Sequence, residues 1–255
     1  PEQVGRNSQQ HRKRGRAGIK KRIYSREQIP AQRGLAEMII AIDGPAGSGK
    51  STVAKLVAKQ LNYRYIDTGA MYRAVAWTAQ QKGMSLVDEP AMAKIAETLN
   101  IEFVPGAEGQ AVLVDGENAT ALLKNETVGR GAATVAAQKF VREVLVARQR
   151  QIGEANNVVM DGRDIGTVVF PQADKKFFFV ADAEERGRRR YEELKSKHPE
   201  LDLKTIIEEI RQRDHEDRNR KISPLIKADD ALEVDTTRLS IEEVTDHVFK
   251  NINNL

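Results

Sequence analysis

A glycine-rich octapeptide carries the most specific chemical signal in this 255-residue chain. Residues 44–51 (GPAGSGKS) match the pattern G-x-x-x-x-G-K-[ST], in which backbone N–H groups surround the β- and γ-phosphates of a nucleotide. The lysine brings a positive charge to the phosphate oxygens, and the last hydroxyl binds Mg²⁺ directly. The pattern therefore predicts a triphosphate site made of Gly44, Pro45, Ala46, Gly47, Ser48, Gly49, Lys50, Ser51 and Thr52.

This pattern by itself does not define the reaction, because GTPases, helicases, transporters and small-molecule kinases share it. The sequence contains no Asn-Lys-x-Asp guanine motif and leaves no room for a second motor domain. These two features favour a phosphotransferase.

Two further clusters of charged and hydroxyl side chains follow predicted strands, at residues 66–73 (IDTGAMYR) and 161–167 (DGRDIGT). Ligands bind at the carboxyl ends of parallel strands, so we expect the two clusters to lie at one sheet edge. Asp161 follows an apolar strand, as a Walker B acid does, and would hold Mg²⁺ through water; Asp67 is a second candidate. Two simpler interpretations stay open, namely that Asp67 and Thr68 only cap a helix and that Asp161 is a buried structural residue.

A third cluster is rich in arginine. Arg213, Asp217 and Arg220 are spaced i, i+4 and i+7, which predicts one helix face with Arg213 and Asp217 as a pair. Most charged helix faces are simply solvated. Arginines on a mobile segment, however, neutralise a transferring phosphoryl group while water is excluded. The arginines in this region are Arg186, Arg188, Arg189, Arg190, Arg211, Arg213, Arg218 and Arg220.

The elements that must position these residues alternate between short apolar runs and amphipathic helices, which is typical of an α/β fold with a parallel sheet. The last helix begins at Ser240 with Glu243 three residues later, a capping box. A helix is predicted over residues 51–61, and an antiparallel insert over residues 101–104 and 111–114 turns at Asp115-Gly116. The five predicted core strands are residues 38–43, 63–66, 158–161, 176–180 and 231–234.

Taken together, four segments resemble the bacterial cytidylate kinase family. They are residues 44–52, 67–73, 161–170 (DGRDIGTVVF) and 213–224 (RDHEDRNRKISP), and the resemblance extends from about Met38 to Asn251. It implies the P-loop nucleoside monophosphate kinase fold, with a five-stranded parallel sheet flanked by helices. It also implies a kinase domain over residues 38–255, with a small β-containing NMP-binding insert in about residues 72–150 and an Arg-rich lid in about residues 186–222.

The resemblance further implies ATP-dependent phosphorylation of CMP and dCMP to CDP and dCDP, within pyrimidine nucleotide metabolism. A dianionic phosphate is well suited to several guanidinium groups, and Arg73, Arg163 and Arg220 match the arginines that hold the acceptor's 5′-phosphate. Arg213 and Asp217 match the pair that contacts the ribose. The residues expected around the transferring phosphoryl group are Lys50, Arg163, Arg220 and, in the lid, Arg186 and Arg190.

Positions matching Thr68, Thr134, Arg142 and Asp164 read the base in that family, and Asp161 lies beside them in sequence. Cytosine presents an amine donor beside two acceptors, so a carboxylate and a guanidinium complement it. Uracil would set a carbonyl against the Asp164 carboxylate and leave a buried charge unpaired. Thr68 and Thr134 stand where several relatives are expected to have serine, a change that keeps the hydroxyl and adds a methyl group.

Charge is distributed unevenly along the chain. The net charge is +4, but residues 1–37 hold ten Lys and Arg against three acidic residues, so the remainder has a net charge of −3. We predict that residues 1–37 are a basic, disordered tail that could contact RNA or another polyanion. The absence of cysteine, of a signal sequence and of an 18-residue apolar run predicts a cytoplasmic protein without disulfides or a membrane partner.

Two alternatives remain at this point. The nearest is a kinase of the same fold with another acceptor, such as AMP, UMP or shikimate. Asp164 argues against uracil, and the pair of Arg213 and Asp217 argues against shikimate. The other is a P-loop nucleic-acid-binding ATPase tethered by its basic tail, against which the net charge of −3 outside the tail counts. A monomer that binds CMP and dCMP, with no nucleic acid at the kinase domain, is the preferred interpretation.

Overall fold

The computed structural model describes residues 38–106, 109–196 and 198–253, which fall within one unit. Its strands are β1 (Ile39–Asp43), β2 (Arg64–Asp67), β3 (Ile101–Gly106), β4 (Gly109–Val114), β5 (Glu117–Asn118), β6 (Val158–Gly162), β7 (Lys175–Val180) and β8 (Leu232–Asp235). Its helices are α1 (Lys50–Leu61), α2 (Thr68–Gln81), α3 (Glu89–Thr98), α4 (Glu126–Ala136), α5 (Lys139–Glu154), α6 (Ala183–Leu194), α7 (Leu203–Asn219) and α8 (Ile241–Asn253).

A five-stranded parallel sheet with the strand order β2–β6–β1–β7–β8 lies at the centre of this unit. The prediction of this sheet is confirmed, and each predicted strand ends within one residue of the observed strand. Because all five strands are parallel, the segments that follow β1, β2, β6 and β7 all emerge at the same carboxyl edge. That edge is where open α/β sheets bind ligands.

Side-chain alternation along the strands divides the hydrophobic core into two clusters, one on each face of the sheet. Ile40 and Ile42 pack with α1 and α8, while the intervening Ala41 packs with α2 and α5. The same alternation separates Val159 from Met160 on β6. Burial on both faces explains why these strands read as continuous apolar runs in the sequence.

Helix termini follow local sequence signals. The predicted capping box is confirmed, since the Glu243 N–H donates to Ser240 Oγ (3.2 Å) and the Ser240 N–H donates to Glu243 Oε2 (2.8 Å). Asn62, with φ of 56°, ends α1 in the left-handed conformation that commonly closes a helix.

The predicted antiparallel insert is also present, as a small sheet of β3, β4 and β5. The turn at Asp115-Gly116 is confirmed, with φ of 50° and 87° as a type I′ hairpin turn requires. The tail prediction for residues 1–37 lies outside the described residues. Across the described segments, no helix is long and apolar enough to cross a membrane.

Candidate active site

The phosphate loop connects the end of β1 to the start of α1. Gly47 and Gly49 have φ of 76° and 83°, a conformation that only glycine adopts without strain. Gly44 is required for a different reason, because a Cβ at that position would lie 2.5 Å from the carbonyl oxygen of Phe179 on β7. The backbone thus needs glycine at three positions to form the curve that places N–H groups around an anion.

Lys50 reaches back into this loop, where its Nζ donates to the carbonyl oxygen of Pro45 (3.0 Å). Burial and the positive charges of Arg163 and Arg213 lower the pKa of Lys50 to about 7, against the opposing effect of Asp161. These charges act on one another because the loop and the segments after β6 and in α7 converge on the same site. A polyanion placed there would relieve the repulsion among the three cations.

Ser51 and Asp161 meet beneath the loop. Ser51 Oγ donates to Asp161 Oδ2 (2.6 Å), and the Tyr65 hydroxyl donates to Asp161 Oδ1 (2.8 Å). Burial, together with the charge of Asp67, raises the pKa of Asp161. Mg²⁺ takes oxygen ligands, and it is usually held by one or two protein oxygens together with phosphates and water. This all-oxygen pair therefore fits Mg²⁺, although no group of three or more His, Asp or Glu residues in the described segments could hold a metal.

Asp67 and Thr68 make structural contacts, and one of these contacts is the helix cap that was the simpler interpretation of the sequence. Asp67 caps α2 by accepting from the Ala70 N–H (3.0 Å), and it also pairs with Arg73 (2.6 Å). Thr68 Oγ1 donates to the carbonyl oxygen of Asp161 (2.8 Å) and is buried. The cap thus orients Arg73 at the sheet edge, where its buried Nε has no hydrogen-bond partner among the described residues.

Arg142 and Asp164 form a buried pair at the place predicted to read the base. Arg142 Nη2 donates to Asp164 Oδ2, and Arg142 Nε donates to Ser223 Oγ (3.1 Å). The guanidinium also lies 5.4 Å from the ring centre of Tyr72, a cation–π distance. Arg220 Nη2 approaches Asp164 Oδ1 to 3.9 Å. Four separate segments are therefore required to hold this pair.

Thr134 is not brought into that cluster. It lies exposed on α4, and its hydroxyl makes no hydrogen bond within the described part of the chain. Its assignment to the base remains a prediction.

The predicted pairing of Arg213 with Asp217 is wrong for this structure. Asp217 accepts instead from Arg163 Nε (2.7 Å), and α7 ends at Asn219, so Arg220 lies outside the helix in an extended conformation. Burial alone would raise the pKa of Asp217, but the Arg163 guanidinium holds it below its usual value. Helical spacing identified the right residues, whereas the partner comes from the end of β6, which spacing within α7 does not reveal.

Arg213 is half-buried, its Nε is fully buried without a hydrogen bond, and it forms no ion pair among the described residues. Burial and the charge of Arg163 lower the pKa of Arg213 to about 10. Buried donors without a partner are rare in folded proteins, and each requires an explanation. Here three arginine nitrogens share this property: Arg73 Nε, Arg213 Nε and Arg220 Nη2.

The two arginines predicted to act from a lid, Arg186 and Arg190, differ in their surroundings. Arg186 is buried, pairs with Asp214 on α7, and donates through Nη1 to the carbonyl oxygen of Ala46 in the phosphate loop (3.0 Å). Arg190 is half-exposed and pairs with Glu126 on α4 and with Glu193 (2.8 Å). Arg186 therefore supports the loop directly, while Arg190 joins two helices at the surface.

Two of the cavities lie beside the start of α6, and no residue of the phosphate loop lines either of them. One of about 520 Å³ lies between α6 and α7 and is lined by Arg186, Arg218 and His215 among others. The other, of about 380 Å³, is lined by Asp182 and by the segment after β8, including Thr237 and Arg238. That segment is tied to the loop, since Thr236 Oγ1 donates to the carbonyl oxygen of Ser48 (2.9 Å).

Several residues at this site were not singled out from the sequence. Tyr72 and Ser223 lie inside two of the recognised motifs, which was a usable signal. Only the tertiary contacts reveal three other residues, which the sequence motifs gave no reason to select: Tyr65, Asp214 and Asp43.

Comparisons with known proteins agree with this arrangement. A family model described as "Cytidylate kinase" matches residues 40–254. The cytidylate kinase of Bacillus velezensis is 50% identical over 214 residues, covering 84% of this chain and 96% of that protein. The cytidylate kinase of Bacillus subtilis is 48% identical over 216 residues, covering 85% and 96%. Shikimate kinase from Acinetobacter baumannii in complex with shikimate aligns over 86% of this chain and 95% of that chain, with 15% identity and a TM-score of 0.42, too low to carry an argument.

Proposed function

The chain belongs to the cytidylate kinase family, and from that membership we propose that it transfers the γ-phosphoryl group of Mg·ATP to the 5′-phosphate of CMP and of dCMP. The products are ADP with CDP or dCDP. As a member of this family it is a phosphotransferase that acts on a nucleoside monophosphate.

The observation that carries the acceptor part of this proposal is the set of buried guanidinium nitrogens without partners. Arg73, Arg213 and Arg220 come from α2, α7 and the segment after α7, and Arg163 from the end of β6 adds a fourth guanidinium. A nucleotide 5′-phosphate is a dianion with several acceptor oxygens, which is the ligand that such a group satisfies. Gathering these charges in one place is otherwise unfavourable for the fold.

The pair of Arg142 and Asp164 supports cytosine as the base. Its carboxylate accepts from the exocyclic amine, while the guanidinium donates to the ring nitrogen and carbonyl acceptors. Both side chains are at most 7% exposed, so a base with a carbonyl in place of the amine would leave a buried charge without a partner. Thr68 lies at the same edge, and its hydroxyl retains acceptor capacity beyond the bond to Asp161.

The reaction requires positioning and charge neutralisation rather than a covalent intermediate. The acceptor phosphate is already ionised near neutral pH, so its oxygen attacks the γ-phosphorus in line without a general base. Lys50 neutralises charge on the β/γ oxygens of the donor. Ser51 and Asp161, with Asp67 nearby, would hold Mg²⁺, which supplies further neutralisation of the phosphates when bound.

Arginines of the lid are proposed to stabilise the transferring group, with Arg186 and Arg190 as the sequence candidates. Arg186 donates to the loop at Ala46, a position from which it supports the triphosphate site. Arg218 lines the same cavity as Arg186 and, among the described residues, forms no ion pair. It is therefore an additional candidate for contact with the transferring phosphoryl group.

A coupled assay of ADP release tests this function on the full chain, with Mg·ATP against CMP, dCMP, UMP, AMP and GMP. We expect turnover with CMP and dCMP that greatly exceeds the rate with the other monophosphates and the rate without any acceptor. A monomeric, cytoplasmic enzyme without nucleic-acid dependence is part of the same proposal, so added RNA should leave the rate unchanged.

The opposite result would favour the tethered ATPase. If no monophosphate accelerates ADP release and RNA does so only while residues 1–37 are present, the acceptor site has been misassigned. Preferred turnover of UMP or AMP would keep the kinase chemistry but overturn the assignment of the base.

A further inference from the structure

Asp164 begins a five-residue π-helical turn (Ile165–Val169) but does not cap it. Aspartate at this position usually accepts hydrogen bonds from the backbone N–H groups of the second or third helical residue. Here the Asp164 carboxylate turns away, with Oδ2 on Arg142 and Oδ1 facing Arg220. Some other group must then satisfy the first N–H groups of the turn.

That group is the carboxylate of Asp43, the last residue of β1. Asp43 Oδ1 accepts from the Ile165 N–H (2.8 Å), and Oδ2 accepts from the Gly166 N–H (2.7 Å). Asp43 is opposite Gly162 in the pairing of β1 with β6, so the sheet itself brings the carboxylate beside the turn. A strand residue more than a hundred positions away thus supplies the cap.

This cap is not favourable for the fold by itself. Burial, and to a smaller extent the charge of Asp164, raises the pKa of Asp43 to about 7, although the two backbone hydrogen bonds act in the opposite direction. An unfavourable buried carboxylate at the edge of a ligand site is more typical of a functional requirement than of a stabilising contact.

We propose that Asp43 is a positioning residue for acceptor selectivity: by capping the turn after β6, it leaves the Asp164 carboxylate free to face Arg142 and the base. Without Asp43, the Ile165 and Gly166 N–H groups lose their acceptor, and Asp164 occupies the N-cap position from which an aspartate usually accepts such hydrogen bonds. Asp164 would then cap its own turn, as aspartate commonly does, and abandon Arg142. The inference rests on the proposed function, because it concerns which monophosphate that site accepts.

Asp43→Ala and Asp43→Asn test the proposal, with Asp174→Ala as a matched control. Asp174 Oδ2 also accepts a backbone N–H of β1, that of Ile39 (2.7 Å), but at the opposite end of the strand. The measured quantities are the ratio of kcat/KM for CMP to that for UMP, and the KM for ATP. We expect Asp43→Ala to lower the CMP/UMP ratio about tenfold, Asp43→Asn to lower it less, and Asp174→Ala to leave it unchanged. The KM for ATP should stay within about twofold in all three.

Combining Asp43→Ala with Asp164→Asn, and measuring the CMP/UMP ratio, distinguishes a positioning role of Asp43 from a general loss of structure. If Asp43 acts through Asp164, then Asp43→Ala should have little further effect on selectivity in an Asp164→Asn background. An equal effect in both backgrounds, or an unchanged CMP/UMP ratio in folded Asp43→Ala and Asp43→Asn, overturns the proposal. Should Asp43→Ala fail to fold, Asp43→Asn carries the test. Failure of the unmodified chain to turn over CMP would instead refute the proposed function.

Discussion

The phosphate loop and the cluster that we propose to hold the acceptor, here the acceptor cleft, lie at the same edge of the sheet but are built in different ways. The arginines of the cleft are Arg73, Arg142, Arg163, Arg213 and Arg220. The loop is one continuous run, residues 44–52, whose anion ligands are backbone N–H groups at a helix start. The cleft draws guanidinium and carboxylate groups from α2, α5, α7 and the end of β6. The anion ligands of the loop therefore come from one segment, whereas the cleft forms only when every element that carries one of its charges is in place.

Their electrostatics differ as well. The loop contributes a single cation, Lys50, while the cleft holds five arginines and three carboxylates (Asp67, Asp164 and Asp217) in partly matched pairs. Removing one charge from the cleft therefore leaves a paired neighbour without its partner, whereas Lys50 forms no ion pair among the described residues. The predictions below test that difference in order of expected effect.

Lys50→Met should have the largest effect, a fall in kcat of about 10³-fold, because a charge that stabilises the transferring phosphoryl group is lost. Thermal stability should not fall, since burial already disfavours the Lys50 ammonium. Steady-state assays with CMP and thermal melts measure both quantities. Lys59→Met, a change at an exposed position on the same helix, serves as the control and should leave both kcat and the melting temperature unchanged.

Asp164→Asn should lower the ratio of kcat/KM for CMP to that for UMP by about 10²-fold, because an amide no longer requires an amine partner. Asp217→Asn, the matched change at the ribose side, should raise KM for both nucleotides alike. A CMP/UMP ratio that survives Asp164→Asn would remove this residue from the base site.

Arg163→Met and Arg213→Met should separate the observed ion pair from the one that helical spacing predicts. Arg163→Met leaves the half-buried Asp217 without its ion-pair partner and should lower the unfolding free energy by about 1.5–3 kcal/mol. Arg213→Met removes an unpartnered charge whose pKa is lowered to about 10, so it should cost much less. Both should raise KM for CMP. A larger stability loss for Arg213→Met would restore the pairing of Arg213 with Asp217.

The titration of Asp43 provides a further test, based on the pH dependence of stability. Asp43 ends β1, just before the phosphate loop, but its carboxylate contacts the turn after β6. Its folded pKa of about 7 exceeds the ordinary aspartate pKa of 3.8, so between these pH values the native state binds more protons than the unfolded state. The unfolding free energy therefore falls as pH rises from about 4 to 7, through this group alone. The charged groups acting on Asp43 are Asp164 and Lys50.

Asp43→Asn should remove that slope. Its unfolding free energy relative to the unmodified chain should increase as pH rises toward 7 and then become constant. Urea unfolding below, near and above neutral pH measures the difference, with Asp174→Asn as the control. A difference that is independent of pH would show that Asp43 does not titrate in this range.

Glu126→Gln should have the smallest effect. Its ion pair with Arg190 joins α4 to α6, and both side chains are more than a third exposed. Such pairs contribute about 0.5 kcal/mol and are screened by salt. We expect kcat to change less than about twofold, and that change to vanish at high ionic strength. A larger effect than that of Glu193→Gln, on the same arginine, would indicate that this contact controls closure.

The sheet and the phosphate loop could be predicted because their signals are local. Apolar runs at regular spacing define the strands, the insert has its Asp-Gly turn, and the glycine pattern lies within eight adjacent residues. Backbone conformation depends mainly on neighbouring residues, so such patterns transfer directly into structure. Most residues of the proposed acceptor site also lie in the motifs, whereas Arg142 and Thr134 were assigned only through the family resemblance, and all of these roles stay predictions.

Their partners could not be predicted in the same way. Spacing within α7 paired Arg213 with Asp217, whereas the sheet brings Arg163 to Asp217 and Asp43 to the turn after β6. Arg186, expected at the transferring group, is buried against Asp214 and the loop. Which charge meets which depends on distances between segments far apart in sequence, and on burial that makes each unpaired charge costly. The sequence thus determined which groups are present, and the tertiary structure decided which of them neutralise one another and which are left for a ligand.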